Sequence, residues 1–169
     1  MNILNSTIED IDEIFSLYKI ATDYQQNKPT VVWPEFDRSL VETEILENRQ
    51  WKMMIDGTVA CIWAITFSDP EIWEEWDNNS SIYIHRIATA NGFRGKMLVA
   101  DIVRWAKEYA LQTGRKFIRL DTVGENKKLI THYTKCGFDY LGMIKLKNTA
   151  GLPIHYHNAE VSLFELEIK

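Results

Sequence analysis

The chain has 169 residues, of which 46% are hydrophobic and 25% are charged, and it carries a formal net charge of −5. This is an ordinary globular composition, so it excludes intrinsic disorder, a collagen-like repeat and a disulfide scaffold as descriptions of the whole chain. An acidic chain is poorly matched to a phosphate backbone, so we do not expect sequence-independent binding to nucleic acid.

The N-terminal part of the chain predicts one strand followed by two helices. The short apolar segment Met1–Asn5 predicts a strand, and the pattern Ser6-x-x-Glu9 is a capping box that predicts the start of a helix. Hydrophobic residues recur at helical spacing from there to about Tyr24. The same spacing predicts a second helix at Asp37–Asn48. The predicted order therefore begins β-α-α.

A hairpin and a central strand follow. Hydrophobic residues alternate on both sides of Asp56-Gly57, a dipeptide that favours a two-residue turn, and they predict two paired strands at 51–55 and 59–67. The stretch 69–80 is acidic and rich in Trp, which makes it too charged for a core strand. Residues 81–90 are apolar on both faces, so we expect them to form a strand at the centre of the sheet.

The C-terminal half alternates helices and strands. Hydrophobic residues one turn apart predict a long helix at Met97–Thr113, and Asn126 is the predicted cap of a helix that runs to Cys136. The remaining strands are predicted at 116–123, 138–147 and 159–168. The complete order, β-α-α-β-β-β-α-β-α-β-β, combines an antiparallel hairpin with βαβ connections. It predicts a three-layer α/β fold with a sheet of mixed direction.

The turn NGFRGK and the start of the helix after it have the features of an anion site. The free N–H groups of a first helical turn point toward such a turn, and the helix dipole adds partial positive charge. Gly95 lets the backbone approach a ligand closely, while Arg94 and Lys96 add charge. We therefore expect a phosphate or a pyrophosphate here; the alternative is a solvated basic turn. The sequence motifs of a P-loop and of a dinucleotide-binding fold are absent.

Two motifs together resemble one known family. The segment HRIATANGFRGKMLVADIVRWA is followed, from Asn126, by N-x-x-L-x-x-x-Y-x-x-x-GF. This combination resembles the GNAT superfamily of acyl-CoA N-acyltransferases, and the element order matches along essentially the whole chain. The resemblance implies a single domain over residues 1–169 with a three-layer α/β/α GNAT-like fold and a mixed, mostly antiparallel sheet with splayed central strands. It also implies an acetyl-CoA-dependent N-acetyltransferase that acts on a primary amine of a small molecule or on an exposed amino group.

The resemblance further implies where acetyl-CoA binds. The pantetheine arm would pair, like an extra strand, with the backbone of Ile87, Ala88 and Thr89. The residues expected at the pyrophosphate are Arg94, Gly95, Lys96, Met97, Leu98 and Val99. The family's Asn and Tyr positions match Asn126, which would bond the cofactor arm, and Tyr133, which would face the thioester sulfur. Lys128, in the first turn of the same helix, completes the predicted set.

The turn departs from the family pattern at two positions. The family usually has glycine where this chain has Met97, and glycine or alanine where it has Val99. Backbone N–H donors remain at both positions, so phosphate binding is retained in principle. We expect the added bulk to narrow the pocket or to weaken the affinity for the cofactor.

Three residues are candidates for the chemistry of acetyl transfer. Tyr133 would donate a proton to the departing sulfur, or is a packing aromatic. The base is either His85 on the central strand, Asp121 at the end of the next strand, or a relay of water molecules without a single base. His85 has the alternative role of a hydrogen-bonded core residue.

An acceptor pocket is predicted from aromatic and acidic side chains around the first two helices and the Trp-rich stretch. The predicted substrate-binding residues are Trp33, Glu35, Phe36 and Trp73. Aromatic faces and carboxylates suit a cationic amine. Local packing of an exposed loop, or an interface between subunits, is the alternative.

The remaining expectations concern partners and location. Cys61 and Cys136 have no metal-ligand spacing and predict reduced cytosolic thiols, and His155-x-His157 lacks a third ligand, so no metal site is expected. The chain shows no signal-peptide pattern and no long apolar stretch, so we expect a cytoplasmic protein with no membrane partner. A homodimer stays open. The competing functions are a non-catalytic acyl-CoA-binding or sensing module and an interaction protein that uses the Trp-rich stretch.

Overall fold

The computed structural model describes all of residues 1–169. Its strands are β1 (Asn2–Asn5), β2 (Gln50–Ile55), β3 (Thr58–Thr66), β4 (Ser81–Thr89), β5 (Phe117–Val123), β6 (Asp139–Lys145) and β7 (Glu160–Glu167). Its helices are α1 (Ile11–Gln26), α2 (Arg38–Leu46), α3 (Pro70–Trp73), α4 (Leu98–Gln112) and α5 (Lys127–Lys135). The predicted order of elements is confirmed, with α3 added inside the acidic stretch. No helix combines the length and the apolar character that crossing a membrane requires.

The strands form one open sheet in the order β1-β2-β3-β4-β5-β7-β6. The pairs β1–β2, β2–β3, β5–β7 and β6–β7 are antiparallel, whereas β4 and β5 are parallel. The sheet is therefore mixed and mostly antiparallel, as predicted.

The chain divides into two compact units. One unit consists of Met1–Ile65 and Ile84–Leu98, and the other consists of Thr66–Tyr83 and Val99–Lys169. Strand β4 contributes its first three residues to the second unit and the rest to the first unit. The expectation of a single domain over the whole chain stays a prediction.

The core of the first unit forms where α1 and α2 cover its strands. One face of α1 is apolar at helical spacing, and the side chains buried on it are Ile11, Ile14, Leu17, Tyr18 and Ala21. Val41 and Ile45, one turn apart on α2, belong to the same cluster, together with Val59 and Ile62 of β3. The helical spacing seen in the sequence therefore marks the faces that these helices bury.

The second unit has its own core. Helix α4 buries one stripe of residues, namely Ile102, Val103, Ala106 and Ala110. A further cluster contains Ile72 and Trp73 from the acidic stretch, packed with Tyr83, Val161 and Leu163. Pro70 opens the short helix α3, a position where the missing N–H of proline is harmless. The acidic stretch is therefore partly a core element, although its charges suggested exposure.

The structure corrects two predicted helix starts. The capping box joins Thr7 and Asp10, whose Oδ2 accepts a 2.7 Å hydrogen bond from the Thr7 N–H, rather than Ser6 and Glu9. The Ser6 N–H instead pairs with the carbonyl oxygen of Gln50 at 2.8 Å. Helix α4 begins at Leu98, because Met97 has a φ of 55°, outside the right-handed helical region.

Candidate functional site

The parallel ladder between β4 and β5 is short. It joins Ser81, Ile82 and Tyr83 to Phe117, Ile118 and Arg119, and all six residues lie in the second unit. Strand β4 then continues from Ile84 to Thr89 in the first unit. The backbone predicted to hold the pantetheine arm, Ile87–Thr89, therefore follows the end of this ladder along β4.

Both basic side chains of the turn after β4 lie over aromatic rings. The guanidinium of Arg94 is 3.8 Å from the ring centroid of Tyr24, and its Nη2 donates a 3.5 Å hydrogen bond to the carbonyl oxygen of Ile20. The ammonium of Lys96 is 4.8 Å from the ring centroid of Phe93. Cation–π contacts of this kind hold a positive charge at a fixed place near the surface. The turn therefore carries two oriented positive charges immediately before α4.

The backbone of this turn adopts a conformation that glycine favours. Gly95 has a φ of 78° and Met97 has a φ of 55°. Met97 occupies the position where the family motif has its first glycine, and its side chain is 45% exposed. Of the next two residues, Leu98 is buried and Val99 is partly buried. The chain therefore has a residue with a side chain in the left-handed conformation at a position where the family motif has glycine.

Asn126 caps α5 as predicted. Its Oδ1 accepts hydrogen bonds from the N–H of Lys128 at 3.1 Å and from the N–H of Leu129 at 3.2 Å. The side-chain oxygen of Asn126 is thus used to cap the helix. The NH₂ group of the same side chain can donate hydrogen bonds to another partner. The side chain of Lys128 is exposed.

Tyr133 lies on α5 against other aromatic residues. Its ring centroid is 5.1 Å from that of Phe164, 6.1 Å from that of Phe138 and 5.5 Å from that of His132. Tyr133 is partly buried, so packing holds the ring. Burial raises the pKa of the nearby Cys136 thiol, which fits a structural cysteine rather than a nucleophile.

His85 is a weak base in this structure. Burial lowers its pKa to about 3, and the positive charges of Arg86 and Arg49 act in the same direction. The imidazole is therefore neutral at physiological pH. A group with so low a pKa holds a proton poorly.

The carboxyl group of Asp121 lies beside a second carboxyl group that the sequence did not single out. Burial raises the pKa of Asp121 to about 6, while the Tyr156 hydroxyl donates a 2.8 Å hydrogen bond to Oδ2 and acts in the opposite direction. Asp69 is only 6% exposed, and carboxyl oxygens of the two residues lie within 4.8 Å of one another. Burial, and then the charges of Asp121, Glu71 and Asp77, raise the pKa of Asp69 to about 8. Asp69 was missed because it opens a stretch whose charges indicated exposure.

The predicted acceptor residues differ in their accessibility. In the first unit, Glu35 is exposed and Trp33 is partly buried, whereas Phe36 is 8% exposed. In the second unit, Trp73 is 2% exposed, and the guanidinium of Arg119 lies 4.8 Å from its ring centroid. The face of Trp73 is therefore already covered by a cation of the chain itself.

Comparison with known proteins places this arrangement in a family. Residues 13–138 match the sequence model of the acetyltransferase (GNAT) family, which is more than half of the chain. The chain belongs to the acetyltransferase (GNAT) family. The resemblance seen in the two sequence motifs is thereby confirmed. GNAT proteins use acetyl-CoA as their co-substrate.

Relatives of this GNAT chain include one curated protein, the uncharacterized N-acetyltransferase YesJ of Bacillus subtilis. It is 31% identical over 74 residues, which span 44% of this chain and 41% of the relative.

Solved GNAT structures share the fold. The acetyltransferase of the GNAT family from Listeria monocytogenes aligns with a TM-score of 0.78 and 20% identity, over 98% of this chain and 94% of its own. The one from Streptococcus agalactiae aligns with a TM-score of 0.73 and 22% identity, over 99% and 95% of the two chains. The acetyltransferase yncA of Salmonella typhimurium, solved with its cofactor acetyl-CoA, has a TM-score of 0.69 and 13% identity, over 100% and 94%. The predicted fold class is confirmed.

Proposed function

We propose that the chain is an acetyl-CoA-dependent N-acetyltransferase whose residues 1–169 act as one domain. The acceptor is a primary amine of a small molecule or an exposed amino group. The observation that carries this proposal is the left-handed backbone at Gly95 and Met97, placed directly before α4 and beside Arg94. Such a turn supplies backbone N–H donors and positive charge to a pyrophosphate, and the N–H groups of Arg94 and Lys96 are already used within the turn, by the carbonyl oxygens of Asn91 and Phe93.

The cofactor would be held by three groups of residues. The turn and the start of α4, from Arg94 to Val99, bind the pyrophosphate, and the backbone of Ile87–Thr89 binds the pantetheine arm. The side-chain amide of Asn126 donates to the same arm, and Lys128 adds charge at the start of α5. The short ladder between β4 and β5 supports this assignment, because it ends at Tyr83, before Ile87–Thr89.

In the reaction, the neutral amine nitrogen attacks the thioester carbonyl carbon. A C–N bond forms, the C–S bond breaks, and the proton lost by the amine passes to a base. The backbone N–H near Ala88 stabilises the developing negative charge on the carbonyl oxygen. The hydroxyl of Tyr133 donates a proton to the departing sulfur, whose thiol product has a similar pKa.

Asp121 is a better candidate for the base than His85. With its pKa raised to about 6, Asp121 is mostly ionised at pH 7 and still has useful basicity. His85, with a pKa of about 3, has little driving force to accept a proton. A relay of water molecules without a single base is the alternative.

The acceptor amine would meet residues of different accessibility. Glu35 and Trp33 contact the amine directly through charge and an aromatic face, because both retain exposed surface. Phe36 and Trp73 are buried, so they would contribute by packing against the side chains around them rather than by contacting the amine.

The test is direct. Purified protein is titrated with acetyl-CoA while its melting temperature is followed, and thiol release is then measured with a panel of amines that includes polyamines, aminoglycosides, amino acids and peptide N-termini. We expect both stabilisation and thiol release. No stabilisation at millimolar acetyl-CoA would contradict the proposal.

A second candidate function is a non-catalytic acyl-CoA-binding or sensing module. The side chains of Met97 and Val99, which replace small residues of the family turn, favour it. Stabilisation by acetyl-CoA without thiol release from any amine of the panel would select this alternative.

A further inference from the structure

Arg86 interrupts the extended conformation of β4. Its φ of 51° lies in the left-handed region, which residues with a side chain rarely adopt. A left-handed residue within a strand redirects the backbone N–H groups that follow it, as bulges in strands do. Here the residues that follow are Ile87 and Ala88.

The side chain of Arg86 is anchored to two helices of the same unit. Its Nη2 forms an ion pair with both carboxylate oxygens of Glu44 on α2. Its Nε donates a 3.2 Å hydrogen bond to the hydroxyl of Tyr18 on α1. The guanidinium is therefore held by a charge on one helix and by a hydroxyl on another.

The ion pair is desolvated. Glu44 is 2% exposed, and the side chain of Arg86 is 15% exposed. The ring centroids of Phe36 and Tyr18 lie 5.1 and 5.8 Å from the guanidinium carbon. Charges buried in this way persist only when they are paired, so breaking the pair would leave one of them uncompensated.

The end of β4 is held on its other neighbour, β3. The N–H of Ala90 donates a 3.0 Å hydrogen bond to the carbonyl oxygen of Ala60. The Sγ of Cys61 is 3.5 Å from the Oγ1 of Thr89. Ile87 and Ala88 therefore lie between two fixed points, Arg86 before them and Thr89 after them.

We propose that Arg86, through its ion pair with Glu44, is a positioning residue for acetyl transfer. The pair keeps β4 in its left-handed conformation at residue 86, and this conformation directs the N–H of Ile87 to the thioester carbonyl oxygen. N–H groups alternate between the two edges of a strand, so the N–H of Ile87 lies on the edge opposite that of Ala90, which faces β3. The inference rests on the proposed function, in which a backbone N–H near Ala88 stabilises the charge that develops on that oxygen.

The test removes the ion pair in two ways. The double variant Glu44→Met/Arg86→Met replaces both charges with apolar side chains and leaves no unpaired charge in the core. The double variant Glu44→Met/Arg86→Gly also lacks the pair, but glycine adopts a φ of 51° without steric strain. The two variants therefore differ in whether residue 86 can keep its conformation without an anchor.

The readout separates positioning from folding. The rate of thiol release from acetyl-CoA is measured with the panel amine that the wild-type protein acetylates fastest. We expect kcat to fall about 100-fold in the Met variant and to recover about tenfold in the Gly variant. The KM for acetyl-CoA should change less than about threefold in both, because the pyrophosphate contacts remain.

A matched control is available in the same unit. Lys52 and Asp10 form a 2.7 Å ion pair whose side chains are 16% and 15% exposed. The double variant Asp10→Met/Lys52→Met removes a pair of similar burial that does not touch β4. Its kcat should stay within about twofold of the wild-type value.

The outcomes are distinct. A Met variant within about threefold of the wild-type kcat, or a Gly variant no faster than the Met variant, overturns the positioning role. A wild-type protein that releases no thiol with any amine overturns the proposed function and, with it, this inference.

If circular dichroism shows the Met variant unfolded, Arg86→Lys replaces it, because lysine keeps the charge opposite Glu44 but loses the planar donor to Tyr18. Its kcat should fall about tenfold, and an unchanged kcat overturns the proposal.

Discussion

The guanidinium of Arg94 lies 3.8 Å from the ring centroid of Tyr24, which joins the turn after β4 to helix α1. The ammonium of Lys28 lies 5.2 Å from the centroid of the same ring. Two cations thus share one tyrosine, but only Arg94 belongs to the turn proposed to bind the pyrophosphate. A side chain that is already oriented loses less conformational entropy when a ligand binds.

Replacing Arg94 with alanine should weaken acetyl-CoA binding. A hydrogen bond to a charged group contributes about 1.5–3 kcal/mol, so we expect the Kd to rise between about tenfold and 100-fold in calorimetric titrations. Lys28→Ala is the control, because it removes the same charge from the same tyrosine. Equal losses in the two variants would mean that general charge, rather than contact with the cofactor, is responsible.

Replacing Met97 with glycine should stabilise the protein and tighten cofactor binding. The left-handed conformation at a φ of 55° costs a residue with a Cβ about 1–2 kcal/mol, and glycine avoids this cost. Glycine also loses more backbone entropy on folding, which offsets part of the gain. We expect the free energy of unfolding to rise by about 0.5–1 kcal/mol in urea titrations, with a lower Kd for acetyl-CoA.

Two variants check the reason for that gain. Met97→Ala keeps a Cβ in the same conformation and should not stabilise. Gly95→Ala places a Cβ at a φ of 78° with no heavy atom within 4 Å, so it should destabilise by backbone strain alone. Stabilisation by Met97→Ala would show that side-chain bulk, not φ, is the cause.

Replacing Tyr133 with phenylalanine should lower turnover while leaving the fold and cofactor binding intact. If the hydroxyl donates a proton to sulfur, kcat should fall by about 10²–10⁴-fold. Tyr140→Phe is a close control, because the rings of Tyr133 and Tyr140 lie 5.1 and 5.3 Å from that of Phe164. Steady-state thiol release compares the two. A similar kcat in both variants would leave Tyr133 with a packing role only.

The buried carboxyl groups should make stability fall as pH rises. Burial raises the pKa of Asp121 to about 6 and that of Asp69 to about 8, from 3.8 in both cases. A folded-state pKa above the unfolded value favours the protonated folded form, so this contribution is complete below pH 3.8 and is lost as pH rises through 8.

The measurement is the free energy of unfolding at about pH 5 and about pH 8, between which we expect a loss of roughly 3–5 kcal/mol. Asp69→Asn should remove most of this pH dependence, because its amide does not titrate. Asp139→Asn, at an exposed position of β6, should leave the dependence unchanged. An Asp69→Asn protein with the wild-type slope would exclude Asp69 as its source.

The sequence was sufficient for the order of elements and for the family. Helical spacing located the buried faces of α1 and α4, and the Asp56-Gly57 turn located the hairpin, because these signals depend on residues close together in the chain. The cap at Asn126 was predictable for the same reason.

The features missed depend on contacts between distant segments. Nothing near Asp69 in the sequence indicates burial, which results from packing of α3 in the second core. The pair of Glu44 and Arg86 joins a helix to a strand forty-two residues away. The only local signals of this ion pair were Glu44 on the apolar side of a predicted helix and Arg86 inside an otherwise apolar predicted strand.

The thiol of Cys61 offers a chemical reporter for motion of β3 and β4. Cys61 is fully buried beside Thr89, and burial raises its pKa to about 11. Very little of the reactive thiolate is therefore present while β3 and β4 are packed as in this structure. Alkylation of this cysteine therefore requires the strands to open, and its rate measures how often they do. Protection of Cys61 by acetyl-CoA would register cofactor capture without any assay of turnover.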